Sequence, residues 1–184
     1  NGTGLVSNYN ATELAQLRLY NGNGILTDHK IATLEEALIL GRGNIYYDLD
    51  ISKKVEFEAV YPLVKKYGML QQVFFYSSES NEIKKMLNKD PDVLAMPIID
   101  GMERFEEYQN LNNLHLVHYT QESFHNSMIA KAKEKGWFIF MNAYVNSDKH
   151  PNDDAFAKID HIISLEGNIV QTDAPVLVKN HLKN

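Results

Sequence analysis

Of the 184 residues in the chain, 44% are hydrophobic and 23% are charged, and the formal net charge is −6. This composition is typical of a globular domain with a sizeable core, and the absence of a basic face argues against nucleic acid as a partner. The absence of cysteine excludes disulfides, thiolate metal sites and a cysteine nucleophile. No apolar run approaches the roughly 20 residues that span a bilayer, so we expect no integral membrane segment.

Two capping boxes mark helix starts in the first 45 residues. Asn10 precedes Glu13 by three positions, and Thr33 precedes Glu36 by the same spacing. In this arrangement the two side chains and the two backbone N–H groups satisfy each other at the helix start. The sequence therefore predicts helices over 11–19 and 33–41, with a loop over 20–31 between them.

Six strand–helix units follow in a row. Each unit begins with a run rich in β-branched or aromatic residues and continues with a segment of helical pattern. Such alternation predicts parallel strands covered by helices. The predicted strands are 44–51, 72–78, 93–99, 114–120, 137–145 and 168–175.

Two architectures compete for this alternation. No glycine-rich phosphate loop follows the first strand, which weakens an open doubly wound sheet of the dinucleotide-binding type. We therefore predict an α/β fold of the (β/α)8 TIM-barrel type, with about six of the eight units present in one domain over 1–184. The helices before Gly43 would then end a unit whose strand is missing.

Two acidic residues stand close together near the end of the first predicted strand, in "GNIYYDLDIS". Asp48 and Asp50 share one face, because alternate side chains of a strand point the same way. Paired carboxylates suit a hard cation such as Mg²⁺ or Ca²⁺, although a third ligand or substrate oxygens would be needed. A strand-end cap or an ion pair with Lys53 or Lys54 is the competing interpretation.

Other polar residues also end predicted strands, where ligands bind in both architectures. His118 is one of them, and it fits either a hydrogen-bonded structural residue or a catalytic one. The remaining positions are Ser52, Ser77, Ser78, Asp100, Tyr119, Asn142, Thr172 and Asp173.

The order of several motifs resembles the glycerophosphodiester phosphodiesterase family. These motifs are "NGTGLVSNYNATELAQLRL", "IATLEEAL", "NIYYDLDIS", "QVFFYSSES" and "GNIVQTDAPVLV". The resemblance covers essentially the whole chain. It implies a (β/α)8 barrel that hydrolyses a small-molecule phosphodiester to an alcohol and glycerol 3-phosphate, with a divalent cation, Mg²⁺ or Ca²⁺, as cofactor.

The resemblance also assigns roles to individual residues. Asp50 falls on the position of a metal-binding Glu, whereas Asp48, Ser77 and Asn142 fall on substrate-binding positions. Ser52 replaces a family lysine. The two catalytic histidines and two further acidic ligands of the family would lie before Asn1, so we expect no catalytic residue within this chain.

Two functional interpretations of the barrel stay open, beside a third in which the chain is a doubly wound phosphatase-like or sugar-binding α/β domain. Since the chain lacks an initiator Met, we expect either the C-terminal three-quarters of a phosphodiesterase, inactive alone, or a degenerate barrel. A degenerate barrel would bind a phosphate or sugar-phosphate ligand or a partner chain. A homo-oligomer is possible in both cases. We expect a periplasmic or secreted location in preference to the cytoplasm.

Overall fold

The computed structural model describes residues 1–51, 55–120, 123, 125–143 and 153–183. The chain divides into two compact units, Asn1–Ile45 and Tyr46–Asn184. The single domain expected over 1–184 stays a prediction. Within the described residues, no helix has the length and hydropathy needed to cross a bilayer.

The first unit contains a 3-10 turn (Val6–Asn8), two short α-helices and a hairpin, and both predicted capping boxes are present. Asn10 Oδ1 accepts a hydrogen bond from the Glu13 N–H at 3.0 Å, and Glu13 Oε2 accepts one from the Asn10 N–H at 2.8 Å. Thr33 and Glu36 repeat this arrangement. The elements are α1 (Ala11–Leu14), β1 (Arg18–Tyr20), β2 (Leu26–Lys30) and α2 (Leu34–Gly41).

The hairpin corrects the predicted helix over 11–19 and the predicted loop over 20–31. Strands β1 and β2 pair antiparallel, and α1 ends at Leu14. The turn is held by Asn21, whose Oδ1 accepts hydrogen bonds from the N–H groups of Asn23 and Ile25 at 3.0 and 2.9 Å. Strand β2 is polar and largely exposed, so it lacks the apolar alternation by which strands are identified in a sequence.

The second unit alternates strand and helix as predicted. Its strands are β3 (Tyr47–Asp50), β4 (Val73–Ser77), β5 (Leu94–Ile99), β6 (Leu116–Tyr119), β7 (Phe138–Asn142) and β8 (Ile169–Gln171). Its helices are α3 (Phe57–Lys66), α4 (Ser80–Lys89), α5 (Met102–Tyr108), α6 (Asn126–Glu134), α7 (Asp153–Ser164) and α8 (Pro175–His181).

The strand order decides between the two predicted architectures. The six parallel strands pair in chain order, β3-β4-β5-β6-β7-β8, so the first strand of the unit lies at an edge. A doubly wound sheet would place its first strand inside the sheet. The sheet curls into part of a barrel, and side chains from strands two apart meet on its inner face. The prediction of a barrel with six of eight strand–helix units is confirmed.

The two faces of the curved sheet differ in burial. The outer face, covered by helices, is closely packed, with Val73, Phe75 and Ile139 fully buried. The inner face has a buried centre of Met96, Leu116 and Phe140, packed against the partly buried Phe74, Tyr76 and Ile169. The outer face therefore forms the main core, and the inner face is more open.

Candidate functional site

The strand register places one row of polar side chains on the inner face, toward the carboxyl ends of the strands. Asp50 of β3 pairs with Tyr76 of β4, His118 of β6 pairs with Phe140 of β7, and Asn142 pairs with Gln171 of β8. Ligands of barrel enzymes bind at this end of the strands. We therefore take this row as the candidate functional site.

Asp48 and Asp50 form the acidic end of the row. Both residues are exposed, and both lie on the same face of β3. Protein atoms crowd the Asp48 carboxyl group even though solvent reaches the residue. This loss of hydration, followed by repulsion from Asp50, raises the pKa of Asp48 to about 6. The two carboxylates therefore repel each other when no cation is bound, and a divalent cation would relieve this repulsion.

His118 lies between two aromatic rings in the middle of the row. Its ring centroid is 5.6 Å from that of Tyr76 and 5.0 Å from that of Phe140. Partial burial lowers the pKa of His118, which favours the neutral imidazole at neutral pH. No described residue hydrogen-bonds to this ring. The structural and the catalytic interpretations of His118 both stay predictions.

Asn142 lies beyond Phe140 on the same face. Its side-chain oxygen, Oδ1, is buried and has no hydrogen-bond partner among the described residues. Buried polar atoms without partners are uncommon and call for an explanation, such as a ligand or an ordered water. A bound hydroxyl or water that donates to this oxygen would satisfy it.

Ser77 does not join the row. It pairs with Pro97 and lies on the outer, helix-covered face, opposite the face that holds Asp48 and Asp50. It is 2% exposed, and its Oγ accepts a hydrogen bond from the Glu79 N–H at 3.1 Å. The structure thus brings Asp48, Asp50 and Asn142 onto one face and leaves Ser77 apart. The predicted role of Ser77 in substrate binding stays a prediction.

Sequence reasoning did not single out Tyr76, although it neighbours Asp50 and contacts His118. The run "VFFYS" is continuously apolar or aromatic, so the sequence does not reveal which alternate side chains face inward. The pairing of β4 with β3 shows that Tyr76 faces inward, because Tyr76 lies beside Asp50. Ser52, Lys53 and Lys54 lie outside the described residues.

Comparison with solved structures gives the same fold for the whole chain. A glycerophosphoryl diester phosphodiesterase from Parabacteroides distasonis matches 100% of this chain and 66% of its own, with a TM-score of 0.81 and 23% identity. One from Agrobacterium tumefaciens matches 97% of this chain and 74% of its own, with a TM-score of 0.74 and 19% identity. The chain has the fold of the glycerophosphodiester phosphodiesterases.

A second Parabacteroides distasonis phosphodiesterase also matches, over 95% of this chain and 71% of its own, with a TM-score of 0.68 and 15% identity. No family model and no curated protein matches the sequence. The resemblance predicted from the motifs is therefore confirmed for the phosphodiesterase fold. This chain spans about two thirds of the length of the first Parabacteroides structure.

The phosphodiesterase resemblance implies a divalent cation, and the donor set of the site fits part of such a centre. Two carboxylates on one face are suitable oxygen ligands for Mg²⁺ or Ca²⁺. Among the described residues, however, no group of three acidic or histidine side chains is close enough to hold a metal ion. The described residues therefore offer at most two acidic or histidine ligands at one place.

Proposed function

We propose that this chain is the larger part of a phosphodiesterase that hydrolyses glycerophosphodiesters to an alcohol and glycerol 3-phosphate with a divalent cation. The observation that supports it best is the placement of Asp48 and Asp50. They share the inner face of β3, at the carboxyl end of a strand in a barrel with the phosphodiesterase fold. We expect the 184-residue chain by itself to be inactive.

Asp50 is the metal ligand in this proposal, and Asp48 lies next to it on the substrate side. The bound cation would neutralise the two carboxylates and withdraw electron density from the phosphoryl oxygens. Asp50 would hold the cation, and Tyr76, its neighbour on β4, would form the adjacent wall. Asn142 offers an acceptor to the substrate.

The charge of the inner face makes substrate binding depend on the cation. In the described part of β3 to β8, the ionised groups on this face are carboxylates, and neither lysine nor arginine occupies an inward position. An anionic phosphodiester would be repelled there unless a cation bound first. The replacement of a family lysine by Ser52 likewise removes a positive charge that would attract the phosphodiester.

Hydrolysis of glycerophosphocholine tests the proposal. The protein expressed from its full reading frame is assayed with Ca²⁺, with Mg²⁺ and with a chelator. Asp50→Ala should lower kcat/KM by at least about 100-fold, since outer-shell partners of metals are already worth about 10- to 100-fold. Asp28→Ala is the matched control, because Asp28 lies on β2, is fully exposed, and forms an ion pair with Arg18 of β1.

Hydrolysis that persists in chelator, or that survives Asp50→Ala, would contradict the proposal. Cation-dependent binding of glycerol 3-phosphate without any hydrolysis would instead support the degenerate barrel, which binds a phosphate or sugar-phosphate ligand. The two functions are thus separated by one pair of measurements, binding and turnover, on the same sample.

A further inference from the structure

His118 and Asn142 are diagonal neighbours on the inner face. His118 pairs with Phe140, and Asn142 is the next inward residue of the same strand. A spacing of about 4.8 Å between strands and a rise of about 3.3 Å per residue put their Cα atoms roughly 8 Å apart. A fragment of two or three carbons can bridge side chains at that separation.

Both side chains have unused hydrogen-bonding groups. Asn142 Oδ1 is a buried acceptor with no partner among the described residues, and the described residues leave the His118 ring without a hydrogen bond. A neutral imidazole has one donor and one acceptor. Together the pair presents acceptors and a donor without a net charge, which suits hydroxyl groups better than phosphate.

The surroundings of the pair restrict what binds there. The Tyr76 and Phe140 rings flank His118, and Phe140 is 4% exposed. These rings fix the imidazole between them and exclude bulk water from its two sides. Hydrogen bonds made in such a place discriminate well, because an analogue without the hydroxyl leaves the protein groups unpaired.

We infer that His118 and Asn142 form a hydroxyl-recognition subsite, which binds the glycerol hydroxyls of the substrate while the phosphate lies toward Asp48 and Asp50. Tyr76 lies between the two parts, as the neighbour of Asp50 and a contact of His118. This inference rests on the proposed function and adds to it the two residues that select a hydroxylated substrate.

Two phosphate monoesters test the subsite. Glycerol 3-phosphate carries both hydroxyls, and propyl phosphate has the same carbon chain without them. Dissociation constants of both are measured by calorimetry with Ca²⁺ present, on the protein expressed from its full reading frame. The wild type should bind glycerol 3-phosphate at least about fivefold more tightly, since one neutral hydrogen bond is worth about that factor.

His118→Phe keeps an aromatic ring between Tyr76 and Phe140 and removes both hydrogen-bonding nitrogens. We expect it to abolish the preference for glycerol 3-phosphate and to leave the dissociation constant of propyl phosphate unchanged. His118→Gln should restore part of the preference, and Asn142→Leu should reduce it. His115→Phe is the matched control. His115 is exposed and comes directly before the first residue of β6, whereas His118 lies near the carboxyl end of that strand.

The outcomes separate this inference from the proposed function. Equal affinity of the wild type for the two esters, or an undiminished preference in His118→Phe, would overturn the subsite and leave the proposed function standing. Binding of neither ester in the presence of Ca²⁺ would overturn the proposed function, and the subsite with it.

Discussion

At the scale of single residues, Asn142 combines a candidate role in binding with a cost in stability. Its Oδ1 is buried without a partner among the described residues. An unsatisfied buried polar group costs about 1–3 kcal/mol of folding free energy. Such a cost is consistent with a position that a ligand occupies during function.

Asn142→Leu should therefore raise the free energy of unfolding, by roughly 1 kcal/mol, because the unpaired oxygen is replaced by an apolar group of similar size. Urea denaturation followed by circular dichroism measures the change. The control is Asn168→Leu: Asn168 Oδ1 accepts a hydrogen bond from the Ile139 N–H at 2.8 Å, so its loss should destabilise. A destabilised Asn142→Leu protein would contradict the interpretation of this oxygen as unpaired.

At the scale of elements, one polar network joins α3 to the segment that follows α4. Tyr61 Oη and Lys65 Nζ of α3 each donate a hydrogen bond to Asp90 Oδ2, at 2.7 Å in both cases. Asp90 is 8% exposed. The Lys65 ammonium, then the Tyr61 hydroxyl and the Asp92 N–H, lower the pKa of Asp90 to about 2. This network fixes the packing of α3 against the segment between α4 and β5.

The network predicts a defined loss of stability in acid. A carboxyl group whose pKa is lower in the folded state stabilises the fold above its unfolded value of 3.8, and this contribution disappears as the pH falls toward about 2. Asp90→Asn should lower the urea midpoint at pH 7, and the difference from wild type should shrink between pH 4 and pH 2.

Glu58→Gln serves as the control for this acid profile. Glu58 pairs with Lys85 at 2.6 Å, but both side chains are nearly half exposed, and exposed ion pairs contribute little. An equal midpoint shift in the two variants, or an Asp90→Asn shift that does not depend on pH, would contradict a special role for the Asp90 network.

The sequence predicted the second unit well because its strands are apolar runs separated by clear helix and turn signals. The hairpin β1–β2 was missed because β2 (Leu26–Lys30) is polar and its pairing depends on the Asn21 turn. It was harder to predict which side chains point toward the inner face of the sheet. A continuous apolar run such as Val73–Ser77 gives no alternation, so only the register placed Tyr76 inward and Ser77 outward.

At the scale of the whole molecule, the inner face has negative charge at one end and an apolar groove at the other. The groove, of about 700 Å³, is lined mainly by Tyr46, Phe74, Leu94, Leu116, Phe138 and Ile169, at the amino ends of the strands. The polar row from Asp50 to Asn142 lies at the carboxyl ends. We therefore expect anionic ligands to bind at the carboxyl ends and only with a cation.

Cation-dependent binding is a prediction for the whole inner face. Inorganic phosphate and glycerol 3-phosphate should bind measurably with millimolar Ca²⁺ and at least about tenfold more weakly in chelator, since no described lysine or arginine on this face offsets the carboxylates. Asp48→Asn should weaken the cation dependence. Phosphate binding of equal affinity in chelator would contradict this prediction.

The proposal that this chain is part of a longer, metal-dependent phosphodiesterase is tested most directly by the intact mass of the species that hydrolyses glycerophosphocholine, measured on protein purified from its native host. A metal-dependent active species well above 21.0 kDa, inactivated by Asp50→Ala, is the predicted result, because this chain would then be part of a longer phosphodiesterase. Full metal-dependent hydrolysis by a species of 21.0 kDa, or no hydrolysis by any species that contains this chain, would contradict it.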